Sequence, residues 1–191
     1  MALRSVKSLI AVILMLGAGL AVAPTPASPA PASARVMEVL DWQVIGTGTG
    51  SCPTSTTGII VCTFSGNATG DKVGSSKYSV SVTATPSSTL IEDNGSGGEC
   101  AIASGSGTVT AADMSVVGFN TVGLLCQEGA ASSTAVHYNG TYRITPVNSS
   151  GAASSGRFAA AVGGGSLVGT LTIPSTGIGV SFVKIDGTIN F

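Results

Sequence analysis

The sequence predicts an all-β fold: an antiparallel β-barrel of about eight to nine strands, with a β-sandwich as the alternative. Three observations carry this expectation. Ser76 to Thr85 alternates strictly, with Tyr78, Val80, Val82 and Ala84 on one face and Lys77, Ser79, Ser81, Thr83 and Thr85 on the other. Strand side chains alternate faces in this way. Val, Ile and Thr are frequent, and 27 glycines, many beside serine, punctuate the chain. Such residues favour pleated strands joined by short turns. No segment beyond the N-terminal region has a convincing helical period.

Taken in order, the elements are these. Val36 to Ile45 reads as a first strand and holds the only tryptophan, Trp42. The glycine-rich run Gly46–Cys52 reads as a turn. Thr57 to Ser65 is apolar on both faces, as expected of a strand covered on both sides. Ser76 to Thr85 is half-buried. Pro86 to Gly98 is the longest polar loop. Gly105 to Ala112 and Ser115 to Cys126 are two strands bent at Ala112-Asp113-Met114. In Thr134 to Thr145, Val136, Tyr138, Tyr142 and Ile144 share the inward face, opposite His137, Asn139, Thr141, Arg143 and Thr145. Gly151 to Gly156 reads as a loop, Arg157 to Val162 as a short strand and Gly163-Gly164-Gly165 as a tight turn. Leu167, Leu171 and Ile173 then face one way around Gly169. The last strand aligns Val183, Ile185, Ile189 and Phe191.

At 191 residues, with 43% hydrophobic and 9% charged side chains, the chain can bury a real core and is unlike a disordered one. Its N-terminus has the pattern of a secretory signal. Arg4 and Lys7 precede the apolar run Leu9–Val22, and a Pro/Ala tract ends in Ala32-Ser33-Ala34. Cleavage is expected after Ala34, rather than after Ala23 where Pro24 would follow the cut. The alternative, a membrane anchor, suffers from the shortness of the apolar run. Residues 1–34 are therefore read as a signal peptide and 35–191 as one secreted domain, with no stable membrane insertion after cleavage. The Ala/Pro style suggests a bacterial source. The mature part keeps six basic and nine acidic residues, a charge of −3 with no basic run. A nucleic-acid partner is not expected.

Cys52, Cys62, Cys100 and Cys126 form an even set in an exported chain, which reads as two disulfides. Cys52 and Cys62 are symmetric about Thr57, and Cys100 and Cys126 about Asp113. Symmetric positions of an antiparallel hairpin face each other at roughly 4.5–5.5 Å between Cα atoms, within the roughly 4.4–6.8 Å a disulfide spans. The expected pairs are Cys52–Cys62 and Cys100–Cys126.

The search for chemistry yields few candidates. With no Cys-x-x-Cys and one histidine, no metal site is expected. Glu92, Asp93, Asn94 and Glu99 place oxygen ligands around the Pro86–Gly98 loop, but their spacing matches no calcium loop, and a solvated loop is the expectation. Gly46–Gly50 lacks the following Lys-Ser/Thr of a phosphate loop, so no cofactor is expected. His137 is the sole potential base of a Ser-His-Asp site. Its place on the polar face beside Asn139 and Thr141 makes an exposed strand histidine the expectation, and no catalytic residue is assigned. The acidic residues sit mostly in loops and turns, so a two-carboxylate glycosidase is not assigned. Trp42, Tyr78, Tyr138 and Tyr142 are the candidates for lining a ligand cavity or stacking on a sugar, with a core role the alternative. Asn67, Asn94, Asn139 and Asn148 head N-x-S/T sequons.

The stretches NGTYRIT, SGRFAAAVGGGSLVGT and IDGTINF, preceded by FSGNATGDKVGSSKY and SGSGTVTAAD, resemble small, largely uncharacterised secreted bacterial proteins. These in turn resemble the barrel of allene oxide cyclases and plant dirigent proteins, where a Gly-Arg/Lys-Phe/Tyr stretch recurs. The resemblance covers most of residues 42–191 and rests on glycine and turn residues. It implies barrel topology, and no catalytic residue of the plant families falls on a position here. Two functional expectations follow. One is a secreted, non-enzymatic module of the envelope or extracellular space, with an envelope component as partner. The other is a small barrel that binds an apolar ligand, with isomerase-like chemistry implied by the resemblance alone. A membrane-spanning barrel, suggested by the terminal Phe191, lacks visible long strands and aromatic girdles.

Overall fold

The computed structural model describes residues 38–56, 58–85, 100–127, 135–173 and 179–191. Eight strands follow one another: β1 (Leu40–Ser51), β2 (Ile60–Gly70), β3 (Gly74–Ala84), β4 (Cys100–Ala111), β5 (Val116–Gln127), β6 (Ala135–Ile144), β7 (Val162–Thr172) and β8 (Gly179–Asn190). Each pairs antiparallel with its sequence neighbour, and β1 pairs with β8 from Leu40↔Ile189 to Gly50↔Gly179. The result is a closed up-and-down barrel, not a sandwich. Closure leaves no edge strand to be covered.

Alternation fixes what lies inside. On β3, Tyr78, Val80, Val82 and Ala84 are buried, while Lys77, Ser79, Ser81 and Thr83 are exposed. On β6, Tyr138, Tyr142 and Ile144 are buried and Arg143 is exposed. Val136, near the end of the strand, is only half-buried. Leu167, Leu171, Val183, Ile185 and Ile189 complete the interior from β7 and β8. Phe191, expected to share a face with Val183, Ile185 and Ile189, is exposed and meets the Phe158 ring at a tilt, with centroids 5.6 Å apart.

Four local expectations are corrected. Gly46–Ser51 is strand, not turn: its glycines recur with period two on the inward face, between outward Thr47 and Thr49. Gly163–Gly165 is likewise the start of β7. The segment Thr57–Ser65 is not covered on both faces, because Thr63 and Ser65 are exposed while Cys62 and Phe64 are buried. Arg157 does not begin a strand. Gly156–Phe158 form one 3-10 turn, which puts Phe158 into the core cluster and sets Arg157 over its ring and 3.4 Å from Asp113.

The tight turns explain themselves. Gly74 takes φ of +62° after the three-residue turn Asp71–Val73, the left-handed residue such hairpins require. At Ala112–Ser115 the Ser115 N–H donates to Asp113 Oδ1 at 3.0 Å. This bond holds the Asp113 carboxyl below the usual carboxylate range, helped by Arg157.

Both expected disulfides are formed. Cys100 lies opposite Cys126 in the β4–β5 ladder, with Cα atoms 4.0 Å apart, closer than the spacing expected from the hairpin. The β1–β2 register, continued one step past Ser51↔Thr63, sets Cys52 against Cys62 at 4.1 Å. Chain entropy predicts that removing a bridge costs about 3 kcal/mol for Cys52–Cys62 and about 3.5 kcal/mol for the longer Cys100–Cys126 loop. Urea unfolding of the paired Cys→Ala variants checks both the loss and its order.

Candidate functional site

The four aromatic candidates all point inward. Trp42 comes from β1, Tyr78 from β3, and Tyr138 and Tyr142 from β6, with exposures of 1%, 3%, 1% and 4%. Each polar tip has a partner inside the barrel. The Trp42 indole N–H donates to the Tyr142 hydroxyl. Tyr78 Oη lies 2.9 Å from Ser181 Oγ, which donates to the Thr49 carbonyl at 3.1 Å. Tyr138 Oη lies 2.7 Å from Thr121 Oγ1, which donates to the Thr141 carbonyl. Phe119 meets the Tyr142 ring edge-on at 5.6 Å. Buried phenols need such partners, because an unpaired hydroxyl in a core is costly. Ser181 and Thr121 escaped the sequence reading. Their signal was parity: each occupies an inward position on an otherwise apolar strand face.

The glycines are the other half of this arrangement. A Cβ at Gly46 would lie 2.6 Å from the Tyr78 ring, and one at Gly187 would lie 2.8 Å from the Tyr142 hydroxyl. Absent side chains on one strand make room for rings from another.

Burial raises all three phenol pKa values, and Tyr142 is pushed up to about 12, burial outweighing the lowering effect of the Trp42 N–H and joined by the Asp186 charge. An unfolded tyrosine ionises near about 10. The folded barrel therefore holds a proton that the unfolded chain releases. Stability is intact below about pH 10 and falls as pH rises toward 12, by about 2–3 kcal/mol for Tyr142. A phenolate absorbance titration run beside circular dichroism should show Tyr142 ionising only as the fold is lost. Normal ionisation of all the tyrosines in an intact barrel would contradict this.

The outer face is different in kind. His137 lies on that face as expected but is half-buried rather than exposed, between Cys126 on β5 and Thr170 on β7. Among the described residues, no group of three or more His, Cys, Asp or Glu is placed to hold a metal. The Glu92/Asp93/Glu99 loop lies outside the described residues, as do residues 1–37 and Asn94. Of the remaining sequons, Asn67 and Asn139 are exposed on mid-strand outer positions. Asn148 is 5% exposed and structural. Its Nδ2 donates to the Gly107 carbonyl on β4, and its Oδ1 accepts from the N–H groups of Ser150 and Ala152.

Asn148 thereby pins the segment 145–155 to the outside of the barrel. Val147 bridges to Ala153 within it, and Ser155 bridges to Val116. Ser154 Oγ accepts from the Gly118 N–H, and Asn120 Oδ1 accepts from the Ser149 N–H. Between this segment and the strands lies a groove of about 490 Å³, lined by Ser81, Thr83, Ser104, Ser106, Asn120 and Ser149 among others, none of them charged. Comparison of the chain with protein-family models, curated proteins and solved structures gives no match.

Proposed function

We propose that this chain is an exported, non-enzymatic β-barrel module of the cell envelope or extracellular space, acting through its outer surface. The observation that carries this reading is the filled interior: Trp42, Phe64, Phe119, Tyr138, Leu167 and Ile185 are each less than 2% exposed. A barrel of about eight strands is either packed or holds one small ligand, and side chains fill the described interior here. Two disulfides fit an oxidising compartment, in keeping with the signal pattern of residues 1–34. The outer face is mixed: Ile45, Ile102, Val122, Val180 and Phe182 are exposed on β1, β4, β5 and β8. The strands, at 10–12 residues, are longer than the sequence suggests. The polar face of β3 is what favours a water-exposed barrel. Transmembrane barrels carry an apolar band outside, whereas β3 shows Ser75, Lys77, Ser79, Ser81 and Thr83 to the outside.

Native mass spectrometry of the exported protein tests this. The expected mass is that of the apo chain from Arg35 onward, with four thiols oxidised. A co-purifying apolar small molecule would overturn the reading in favour of a ligand-binding barrel.

A further inference from the structure

The strand register arranges hydroxyls on the outer face in rows that no single strand reveals. Thr49, Ser65, Ser79 and Thr108 lie side by side across β1 to β4. One step along the strands, Ser51, Thr63, Ser81 and Ser106 form a second row, which ends at Asn120 on β5. Neighbours within a row stand about 4.8 Å apart, and the rows about 6.8 Å apart. The second row leads into the groove walled by Ser149 and Ser150. That wall is fixed in place, since the Asn148 amide behind it is buried and bonded to the Gly107 carbonyl.

This surface has a definite chemistry. A serine or threonine hydroxyl offers one donor and two acceptor sites, and Ser81, Thr83 and Ser104 present theirs to the outside. Asn120 Oδ1 already accepts from the Ser149 N–H, and the Ser150 hydroxyl donates to Asn148 Oδ1, so Asn120 adds its amide N–H groups as donors. A charged ligand would find no counter-charge among the described lining residues. An apolar ligand would strip water from hydroxyls and return no hydrogen bond. A neutral polyhydroxylated chain satisfies both demands, because its own hydroxyls donate and accept in turn. We propose that the groove between β3–β5 and segment 145–155 binds a neutral oligosaccharide segment. The inference rests on the reading that the protein acts through its outer surface. Among the described residues no aromatic ring lines the groove to stack on a sugar, so hydrogen bonds hold the ligand and affinity is weak, about 1 mM. The nearest cation by register is Arg143, opposite Asn120 on β6 and outside the lining.

The test is amide chemical-shift mapping on the oxidised mature chain, titrated to about 10 mM, tenfold above that affinity. The probes are neutral gluco-, xylo- and mannohexaose, with an oligogalacturonate as the anionic comparison. The expected result is saturable shifts with a neutral probe at Ser81, Ser104, Ser106, Asn120 and Ser149. The double variant Ser81→Val/Ser104→Val should bind at least about tenfold more weakly, the loss of about 1.4 kcal/mol expected from removing hydrogen-bonding hydroxyls. Both changes sit at exposed strand positions and should leave the unfolding midpoint unchanged. No shifts with any neutral probe, shifts elsewhere on the barrel, equal binding by the double variant, or preference for the anionic probe would each overturn the glycan site. None of those outcomes puts a ligand inside the barrel. The broader reading fails separately, on an apolar molecule in the native mass spectrum.

Discussion

Tyr142→Ala is expected to lower stability by about 4 kcal/mol, the range seen when a buried aromatic is cut to alanine. Tyr142 is 4% exposed, packs edge-on against Phe119 and at 6.2 Å from Trp42, and accepts the indole N–H of Trp42. Truncation opens a cavity between three strands and also leaves that N–H unpaired. Tyr142→Phe separates the two effects. It keeps the ring and loses only the hydrogen bond, so it should cost about 1–3 kcal/mol. Urea unfolding of both variants measures the difference. Equal losses would mean that the hydrogen bond, not the packing, dominates at this site.

Gly48→Val should also be strongly damaging, about 3 kcal/mol or more, for the opposite reason. Gly48 pairs with Gly66 across β1 and β2. A Cβ on Gly48 would run into the Ser65 carbonyl and stand 2.6 Å from the Gly66 Cα. Those atoms are backbone, so no rotamer change relieves the overlap and the ladder itself must move. Thr47→Val, one residue away on the exposed face, should change little. A folded Gly48→Val protein with a near-normal unfolding midpoint would show that the two strands do not approach as closely as described.

These two sites mark what was legible in the sequence. Strict alternation in Ser76–Thr85 and Thr134–Thr145 gave the faces of β3 and β6, because apolar side chains stood at every second position. The cysteine spacings gave the hairpin register, since each pair is symmetric about its turn. Gly46–Ser51 and Gly163–Gly165 were read as turns because glycine carries no apolar signal. Its period-two placement has meaning only against the rings and backbone of the strands opposite. The strand expected over Arg157–Val162 fails for a related reason, while the loop at Gly151–Gly156 is present. Asn148, Ser154 and Phe158 look like loop and strand residues until their partners Gly107 and Gly118 and the core cluster are known. The hydroxyl rows are the extreme case. Serine and threonine every second residue says only that one face is polar, while the shared rows and the groove arise from cross-strand register.

The closed barrel has a described interior filled by its own side chains. Trp42 is the only tryptophan in the chain and lies at the heart of that interior, so its fluorescence reports on that filling directly. A filled interior is expected to give a blue-shifted emission, negligible quenching by acrylamide until the protein unfolds, and no change on adding fatty acids or other apolar probes. Solvent-like emission, ready quenching in the folded state, or a saturable response to an apolar probe would contradict it.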